Sequence, residues 1–374
     1  MNAPRILVAP DKFKGSLSAA EVAEALARGV RREVPGAVLD CLPVADGGDG
    51  TLDAAIANGF ERVPVTVSGP TGAPVESAYA RRGTTAVVEM ADACGLVRLP
   101  GGVLTPMAAS SRGLGEALAA ALDAGCRQLV VGIGGSASTD GGAGMLAALG
   151  ALLVPDVPPG GGGLGDVRSL VLDGLVVRRA GADIVVACDV DNPLTGPDGA
   201  AAVYGPQKGA TSEQVAVLDD HLEHWADVVA AATGADRRHE PGAGAAGGVG
   251  FALVAAMGAE LRPGIGLMLD LLGFAERVTG ADLVITGEGS LDAQTLRGKA
   301  PVGVAAAARR AGVPVVAVSG RNLLDEHQLA AAGIHAAHAL LDLEPDVRVC
   351  MAEPERLLEE LGRRVARAHV TPRT

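Results

Sequence analysis

The sequence predicts an α/β protein with two α/β domains: a flavodoxin-like parallel sheet, and a mixed-sheet domain that is inserted into it. Three observations support this prediction. Short apolar runs alternate with amphipathic helical segments at both ends of the chain. Strand-like runs separated by turn residues lie between these ends. The length of 374 residues also exceeds what one hydrophobic core usually organises.

The first sixty residues predict the order strand, helix, strand, helix. Residues 6–9 are a short apolar run that is typical of a buried parallel strand. Ser18 and Glu21 have the spacing of a capping box, which marks the start of a helix. Residues 38–44 predict the second strand, and a second helix follows residues 45–51.

The C-terminal part repeats this alternation. Strands are predicted at residues 283–286, 315–318 and 336–341, a helix begins near Pro301, and an amphipathic helix closes the chain. Together with the N-terminal strands they make five, which fit the flavodoxin-like order 2-1-3-4-5. In that order the loops after the first and third strands face each other at the carboxyl edge of the sheet, where ligands bind.

The middle of the chain predicts the inserted domain. Residues 61–91 contain three strand-like runs with glycine-containing turns between them, which indicate a meander that is at least partly antiparallel. Another strand is predicted at residues 184–187. We therefore assign residues 1–60 and 263–374 to the flavodoxin-like domain, and residues 61–262 to the inserted one.

Composition narrows the class of protein. A net charge of −13 argues against nonspecific binding to nucleic acid or to an anionic membrane. Five cysteines without a CxxC pair predict reduced thiols, and no signal peptide or membrane span is recognisable. We expect a cytoplasmic protein that acts on a small molecule, without a nucleic-acid or membrane partner. The sequence leaves its state as monomer or homodimer open.

Lysine is rare in this chain, since only four of its 31 basic Lys and Arg residues are lysines. All four lie in loops rich in glycine, serine and threonine: Lys12, Lys14, Lys208 and Lys299. Lys14, Gly15 and Ser16 stand between the first strand and the first helix. A mobile ammonium beside a helix N-terminus and a close backbone favours a bound anion, so this turn is a candidate phosphate site.

The loop after the third predicted strand, TGEGSLDAQTLRGKAP, combines acids, hydroxyls, a lysine and glycines. Phosphoryl transfer needs donors around the phosphates, a cation, and acids that hold Mg²⁺. The loop is not a Walker A motif, because no serine or threonine follows its lysine. Its candidate nucleotide and metal contacts are Gly287, Glu288, Gly289, Ser290, Asp292, Thr295 and Lys299.

Two acids follow the strand at residues 184–187. Asp189 and Asp191 are two positions apart, so on an extended chain both carboxylates face one side. Such a pair can bind Mg²⁺ or accept a hydroxyl proton, and a turn with a helix cap explains it equally well. Asp46, within the glycine-rich segment ADGGDGT, is a weaker candidate, because helix capping by Asp49 explains most of that segment.

A glycine-rich stretch after the strand that ends near Gly132 supports a rival function. Gly132, Gly134 and Ala137 match the pattern GxGxxA, and Asp156 ends the next apolar run. These residues suit an NAD-dependent dehydrogenase of a small hydroxy acid. Two features argue against this function: the match ends in alanine, which fits the fingerprint less well than glycine, and it lies inside the inserted region. The surrounding serines, threonine and aspartate equally suit a small polar substrate.

Several motifs occur together in an order that resembles the bacterial type I glycerate kinases, from about residue 5 to beyond residue 320. They are PDKFKGSLSA, ADGGDGT, GGSASTDGGAGM, CDVDNPLTGPDGA, GPQKGA, GAAGGVGFAL and TGEGSLDAQTLRGKAPVGVA. The resemblance implies ATP- and Mg²⁺-dependent phosphorylation of glycerate, most often to 2-phosphoglycerate, in a cleft between two α/β domains. Departures from the family pattern are Lys12 for a common serine, Asp49 for a frequent glutamate, and Ser138-Thr139 for Thr-Asn.

On this resemblance we expect Lys14 and Lys299 to stabilise phosphate charge together with nearby backbone amides. Asp189 and Asp191 share the duties of Mg²⁺ ligand and proton acceptor. A kinase for another small hydroxy acid, or a non-catalytic metabolite-binding module, remains an alternative. The candidate substrate contacts are Asp46, Arg112, Gly134, Gly135, Ser136, Asp140 and Lys208.

Overall fold

The computed structural model describes residues 3–370, which contain strands β1–β13 and helices α1–α15. The strands are β1 (Arg5–Pro10), β2 (Val38–Cys41), β3 (Glu61–Ser68), β4 (Pro74–Arg82), β5 (Thr85–Glu89), β6 (Gln128–Gly132), β7 (Leu152–Val154), β8 (Ser169–Val171), β9 (Asp183–Ala187), β10 (Glu260–Arg262), β11 (Leu283–Leu291), β12 (Val315–Asn322) and β13 (Ala336–Ala339). The helices are α1 (Ala19–Glu33), α2 (Thr51–Ala57), α3 (Met90–Cys94), α4 (Arg112–Asp123), α5 (Ala143–Ala148), α6 (Asp173–Arg179), α7 (Ala200–Tyr204), α8 (Ser212–Thr233), α9 (Ala245–Met257), α10 (Gly264–Leu271), α11 (Phe274–Val278), α12 (Ala300–Arg310), α13 (Glu326–Ala331), α14 (Val347–Ala352) and α15 (Pro354–His369).

These elements form two compact units. Unit 1 consists of the chain up to residue 46, residues 53–59 and the chain from residue 265 onward, and unit 2 consists of residues 47–52 and 60–264. Unit 1 is thus assembled from three separate stretches of sequence. The short segment 47–52 belongs to unit 2, although the residues on both sides of it belong to unit 1.

Unit 1 is built on a five-stranded sheet in the order β13-β12-β11-β1-β2. Every neighbouring pair is parallel. Numbered within this sheet, the order is 2-1-3-4-5, so the flavodoxin-like prediction is confirmed. Strand β11 extends five residues beyond the predicted end at residue 286, because its backbone continues to pair with β12 as far as Leu291 and Asn322. The apolar pattern ends earlier, since residues 287–290 are glycines and polar residues.

The outer layer of unit 1 depends on a close helix pair. Helix α1 begins with the predicted capping box, in which the Glu21 N–H donates to Ser18 Oγ (3.3 Å) and the Ser18 N–H donates to the Glu21 carboxylate (2.8 Å). Where α1 meets α15, a Cβ atom placed on Gly29 would lie 2.0 Å from the carbonyl oxygen of Glu359. The two helix backbones are therefore in direct contact, which only glycine permits at this position.

Unit 2 contains a six-stranded sheet in the order β10-β9-β6-β5-β4-β3. The pairs β3–β4 and β4–β5 are antiparallel, whereas β5–β6, β6–β9 and β9–β10 are parallel. The sheet is therefore mixed, as predicted. Strands β7 and β8 form a separate antiparallel ribbon. The carboxyl ends of the parallel strands carry the glycine-rich and acidic loops that the sequence analysis singled out.

Helix α8 is the longest helix of the described residues and contributes to the core of unit 2. Its Trp225 is fully buried, and the indole N–H donates to the carbonyl oxygen of Gly141 (3.0 Å). His221 on the same helix also contacts a backbone carbonyl, since its ring Nδ1 lies 3.0 Å from the oxygen of Gly161. No helix within residues 3–370 combines the length and the hydropathy that a membrane crossing requires.

Replacing Gly29 with alanine should destabilise unit 1. Alanine gains roughly 1 kcal/mol of helix propensity over glycine, but its methyl group would overlap the α15 backbone, and overpacking of this kind costs about 1–3 kcal/mol or more. Urea unfolding followed by circular dichroism should therefore show a net loss of stability.

Gly36 provides the matched control for this change, because a Cβ atom there would meet nothing within 4 Å. Gly36→Ala should leave the unfolding midpoint nearly unchanged. Equal midpoints for the Gly29 and Gly36 variants would show that the helix contact tolerates a side chain.

Candidate active site

The two loops of unit 1 that were predicted to meet lie side by side. Strands β1 and β11 pair in parallel with Pro10 opposite Gly287, and the Asp11 N–H extends the ladder by donating to the Gly287 carbonyl (2.8 Å). A Cβ atom placed on Gly289 would lie 3.5 Å from the backbone nitrogen of Lys14. Chain regions almost three hundred positions apart thus share the carboxyl edge of one sheet.

The loop that carries Lys14 is a tight turn. Phe13 and Leu17 exchange backbone hydrogen bonds, Gly15 between them has φ +83°, and Lys14 itself is exposed. The N–H of Ser16 donates to the Phe13 carbonyl (2.9 Å), and its hydroxyl donates to the same oxygen (3.1 Å). The backbone amide of Ser16 is therefore already used within the turn, so Lys14 is the exposed cation that this loop presents.

The predicted polar residues of the loop after β11 form a hydrogen-bonded network. Thr295 Oγ1 donates to Glu288 Oε1 (2.6 Å) and accepts from the Asp292 N–H (3.0 Å). The ammonium of Lys299 lies 3.9 Å from Glu288 Oε2. Burial raises the pKa of Glu288, although the Thr295 hydrogen bond and Lys299 oppose this. Ser290 Oγ joins the network through Asp292 (3.3 Å).

Asp11 is a site residue that the sequence analysis missed. It follows β1 directly, and its carboxylate accepts from the Lys12 N–H (2.6 Å). Burial, and then the charges of Asp46 and Glu288, raise its pKa to about 8, although Lys12 opposes the shift. Three carboxyl groups therefore converge in unit 1. The sequence signal for Asp11 is its position just after the first predicted strand.

In unit 2, the predicted substrate residues Asp140 and Lys208 are buried. The carboxylate of Asp140 accepts from the Ser111 N–H (2.8 Å), from the Ser111 hydroxyl (2.9 Å) and from the Gly144 N–H (3.3 Å). Lys208 Nζ donates to the Ser138 carbonyl (2.5 Å). Burial lowers the pKa of Lys208 to about 8, and Asp140 opposes this shift. The two residues thus hold the loop that contains Gly134, Gly135 and Ser136.

The glycines of the GxGxxA match serve close packing. A Cβ atom on Gly132 would lie 2.7 Å from the Gly47 carbonyl oxygen, and one on Gly134 would lie 2.7 Å from the Gly48 Cα atom. No helix opens at this motif, since α5 begins only at Ala143. A dinucleotide fingerprint requires a strand that turns directly into a helix, so the structure lacks the context that the dehydrogenase alternative needs.

Most of the remaining predicted residues of unit 2 are accessible, and Ser136 is the exception among them. Asp189 and Asp191 are exposed beyond the end of β9, and Asp189 Oδ1 accepts from the Gly264 N–H at the start of α10 (2.8 Å). Arg112 is the first residue of α4, and its Nε donates to Glu116 Oε1 (2.9 Å). Gly135 and Ser136 belong to the loop after β6, where Ser136 is buried; Asp46 belongs to unit 1.

The exposed acid pair fits the chemistry of Mg²⁺, which binds carboxylate oxygens. Within residues 3–370, no group of three or more His, Cys, Asp or Glu residues is arranged to hold a metal ion. Protein sites for Mg²⁺ in phosphoryl transfer commonly supply only one or two carboxylates, and phosphate and water oxygens complete the octahedron. Asp189 and Asp191 are sufficient for such a site.

The carboxyl edge of a flavodoxin-like sheet here carries lysines and carboxylates, which are the cations and acids that phosphoryl transfer uses. The chain belongs to the glycerate kinase family, whose family model matches residues 6–370. It is 46% identical over 344 residues to a glycerate kinase of Bacillus subtilis (strain 168), and 43% identical over 345 residues to the glycerate 2-kinase of Escherichia coli (strain K12). Each match covers 90% of both chains.

A solved structure is similar over the whole length. The crystal structure of a protein from Salmonella typhimurium LT2, provisionally titled glycerate kinase 2, superposes with a TM-score of 0.87 at 42% identity and covers 98% of both chains. The family resemblance predicted from the motifs is therefore confirmed, and with it the kinase class of the enzyme.

Replacing Asp11 with asparagine should stabilise the protein, and more at pH 8 than at pH 5. The pKa of Asp11 is raised in the folded protein from 3.8 to about 8, so its contribution to stability is complete below pH 3.8 and is lost as the pH rises through 8. Asparagine has no proton to lose. The advantage of the variant should grow by on the order of 4 kcal/mol between the two pH values.

Urea unfolding at pH 5 and pH 8, without nucleotide or Mg²⁺, measures this difference. Asp156→Asn, at an exposed acid of unit 2, is the control and should show the same small effect at both pH values. An Asp11 variant whose advantage does not change with pH would mean that the carboxyl group titrates normally.

Proposed function

We propose that this protein transfers the γ-phosphoryl group of ATP to a hydroxyl of D-glycerate in a Mg²⁺-dependent reaction, and that the product is 2-phosphoglycerate. The observation that carries the proposal is the parallel pairing of β1 with β11, which brings the loops that contain Lys14 and Lys299 to one edge of the sheet, in a chain of the glycerate kinase family. The relative named glycerate 2-kinase supports the choice of hydroxyl. A net charge of −13 supports a small substrate rather than nucleic acid, and we place the reaction in the cytoplasm.

Lys14 and Lys299 are proposed to stabilise the charge of the transferred phosphoryl group. Lys14 is exposed on its turn, so its ammonium is free to follow a phosphate. Lys299 is the N-cap residue of α12, where the positive end of the helix adds to its charge. Glu288 holds Lys299 at 3.9 Å without a close hydrogen bond, which leaves the ammonium able to donate to a ligand. Phosphoryl transfer depends mainly on such positioning and electrostatic stabilisation.

The proposed Mg²⁺ ligands are Asp189 and Asp191, and Glu288 and Asp292 are further candidates for metal or nucleotide contact. When bound, Mg²⁺ would neutralise negative charge on the phosphate oxygens. One carboxylate of the Asp189–Asp191 pair is also proposed to accept the proton of the attacking hydroxyl. Because the Gly264 amide holds Asp189 at 2.8 Å, its carboxylate has a fixed orientation.

The glycerate carboxylate is proposed to bind to the loop from Gly134 to Asp140 with help from Arg112 or Lys208. Arg112 is accessible and carries a planar fork that matches a carboxylate. Asp140 and Lys208 are buried, and they fix the loop backbone from inside unit 2.

Removing either proposed phosphate-binding cation should lower kcat strongly. Loss of one central electrostatic donor in a transition state typically costs on the order of 10²–10³-fold in rate, so Lys14→Ala and Lys299→Ala should each lose that much. Release of ADP in a coupled assay, with D-glycerate, L-glycerate or glycolate and with or without Mg²⁺, measures the rates and the preferred acceptor.

Arg348→Ala is the control for loss of a positive charge in unit 1, because that side chain is 91% exposed and pairs only locally with Asp346. It should retain wild-type turnover. Near-normal turnover of both lysine variants would refute their assigned role. Faster turnover of glycolate than of D-glycerate would identify a kinase of another hydroxy acid.

The position of phosphorylation can be read from the product. With enolase and a pyruvate kinase detection step, 2-phosphoglycerate should give a signal directly. A 3-phosphoglycerate product would give the signal only after phosphoglycerate mutase is added. A signal that depends on the mutase would therefore overturn the assignment to the 2-hydroxyl, while leaving the kinase activity itself intact.

A further inference from the structure

Residues 47–52, which we call the crossing segment, connect two stretches of unit 1 but belong to unit 2. The segment directly follows Asp46 and ends at the first turn of α2. Asp46 is close enough to Asp11 and Glu288 to raise the pKa of both. The conformation of the crossing segment therefore helps to determine where one of the three converging carboxyl groups lies.

Glu89 binds the crossing segment from the end of β5. Its side chain is buried, with 4% of the residue exposed. Oε2 accepts from the Leu52 N–H (2.8 Å), and Oε1 accepts from the Gly50 N–H (3.2 Å). These amides lie at the start of α2, where backbone N–H groups have no partner within the helix. One carboxylate thus satisfies two amides that lie 37 and 39 residues earlier in the chain.

Glycines hold the other side of the crossing segment against the ends of β6 and β9. A Cβ atom on Gly47 would lie 2.2 Å from the Ala187 Cβ atom, and the close approaches of Gly132 and Gly134 involve Gly47 and Gly48. The segment is therefore in backbone contact with the ends of β6 and β9, while Glu89 binds it from the end of β5. Thr51 closes the turn internally, with its hydroxyl donating to the Gly48 carbonyl (2.6 Å).

Holding a loop with a buried carboxyl group costs free energy of folding. Burial raises the pKa of Glu89 to about 7, and the neighbouring acids Asp49 and Asp92 add to the shift, whereas the two amides oppose it. Burying a carboxyl group beside other acids costs stability that a neutral residue would not. What the carboxylate gains over a neutral side chain is two acceptor oxygens that fix two amides at once.

We propose that Glu89 is a positioning residue for phosphoryl transfer, and that it acts by holding the crossing segment in the conformation that keeps Asp46 beside Asp11 and Glu288. This inference rests on the proposed function. Glu89 itself is not expected to contact ATP or glycerate. Its loss should therefore lower the rate of the bound complex while substrate binding stays nearly unchanged.

The test compares Glu89→Ala and Glu89→Gln with the wild-type enzyme in the ADP-release assay. Alanine leaves both amides without their acceptor, and kcat should fall about 10–100-fold, with KM for ATP and for D-glycerate within about threefold of wild type. Glutamine retains one carbonyl acceptor, so its kcat should recover to about 3–10-fold below wild type. Size exclusion and circular dichroism establish the folded fraction used to calculate kcat.

Asp325→Ala is the matched control, because Asp325 also caps a helix by accepting a backbone N–H, that of Gln328 (2.8 Å), outside the crossing segment. It should lower the urea unfolding midpoint, because the helix cap is lost, without lowering kcat. If the alanine variant does not fold, the glutamine variant decides the question. A Glu89→Gln enzyme with wild-type kcat, or a Glu89→Ala loss confined to KM, would overturn the proposal. Wild-type protein that fails to phosphorylate glycerate would instead overturn the proposed function, and the role of Glu89 with it.

Discussion

The parallel pairing of β1 with β11 is the contact on which the rest of unit 1 depends. It joins residues that are 277 positions apart along the chain, in a register that sets Ile6 opposite Leu283 and Pro10 opposite Gly287. Because parallel strands end at a common edge, this register determines which loop residues become neighbours. A shift by one residue would turn the alternate side chains to the other face and would separate Asp11 from Glu288.

The same register explains which features could be predicted from sequence. The order 2-1-3-4-5 was predictable, because buried parallel strands are short apolar runs and their connections follow strict rules. The end of β11 could not be predicted, because the strand continues through Gly289 and Ser290 by backbone pairing with β12, where the sequence has no apolar pattern. The meeting of the lysine loops followed from topology alone. Asp11 and Glu89 were missed because their partners are remote in sequence, and a single acid at a strand end has no distinctive local pattern.

The glycines of the GxGxxA match show that residue spacing alone does not determine the chemistry of a site. The GxGxxA match in unit 2 has the spacing that dinucleotide sites use for close approach to pyrophosphate. Here Gly132 and Gly134 have the same physical property, absence of a Cβ atom, but the group that approaches them is the backbone of residues 47 and 48. The sequence indicates that another group approaches these glycines closely. The fold shows that this group is protein backbone. The polar residues around the motif distinguish a dinucleotide site from a packing contact better than the glycines do.

The assembly of unit 1 from three stretches of sequence has a consequence for synthesis on the ribosome. Most of unit 2, residues 60–264, is contiguous and has its own core, so it can fold as soon as it emerges. The first two strands of unit 1 emerge earlier, yet their central partner β11 is made only after residue 282. A nascent chain therefore carries the apolar strand β1 without its partner β11 for most of its translation, and this open strand edge depends on slow long-range pairing or on chaperones for protection.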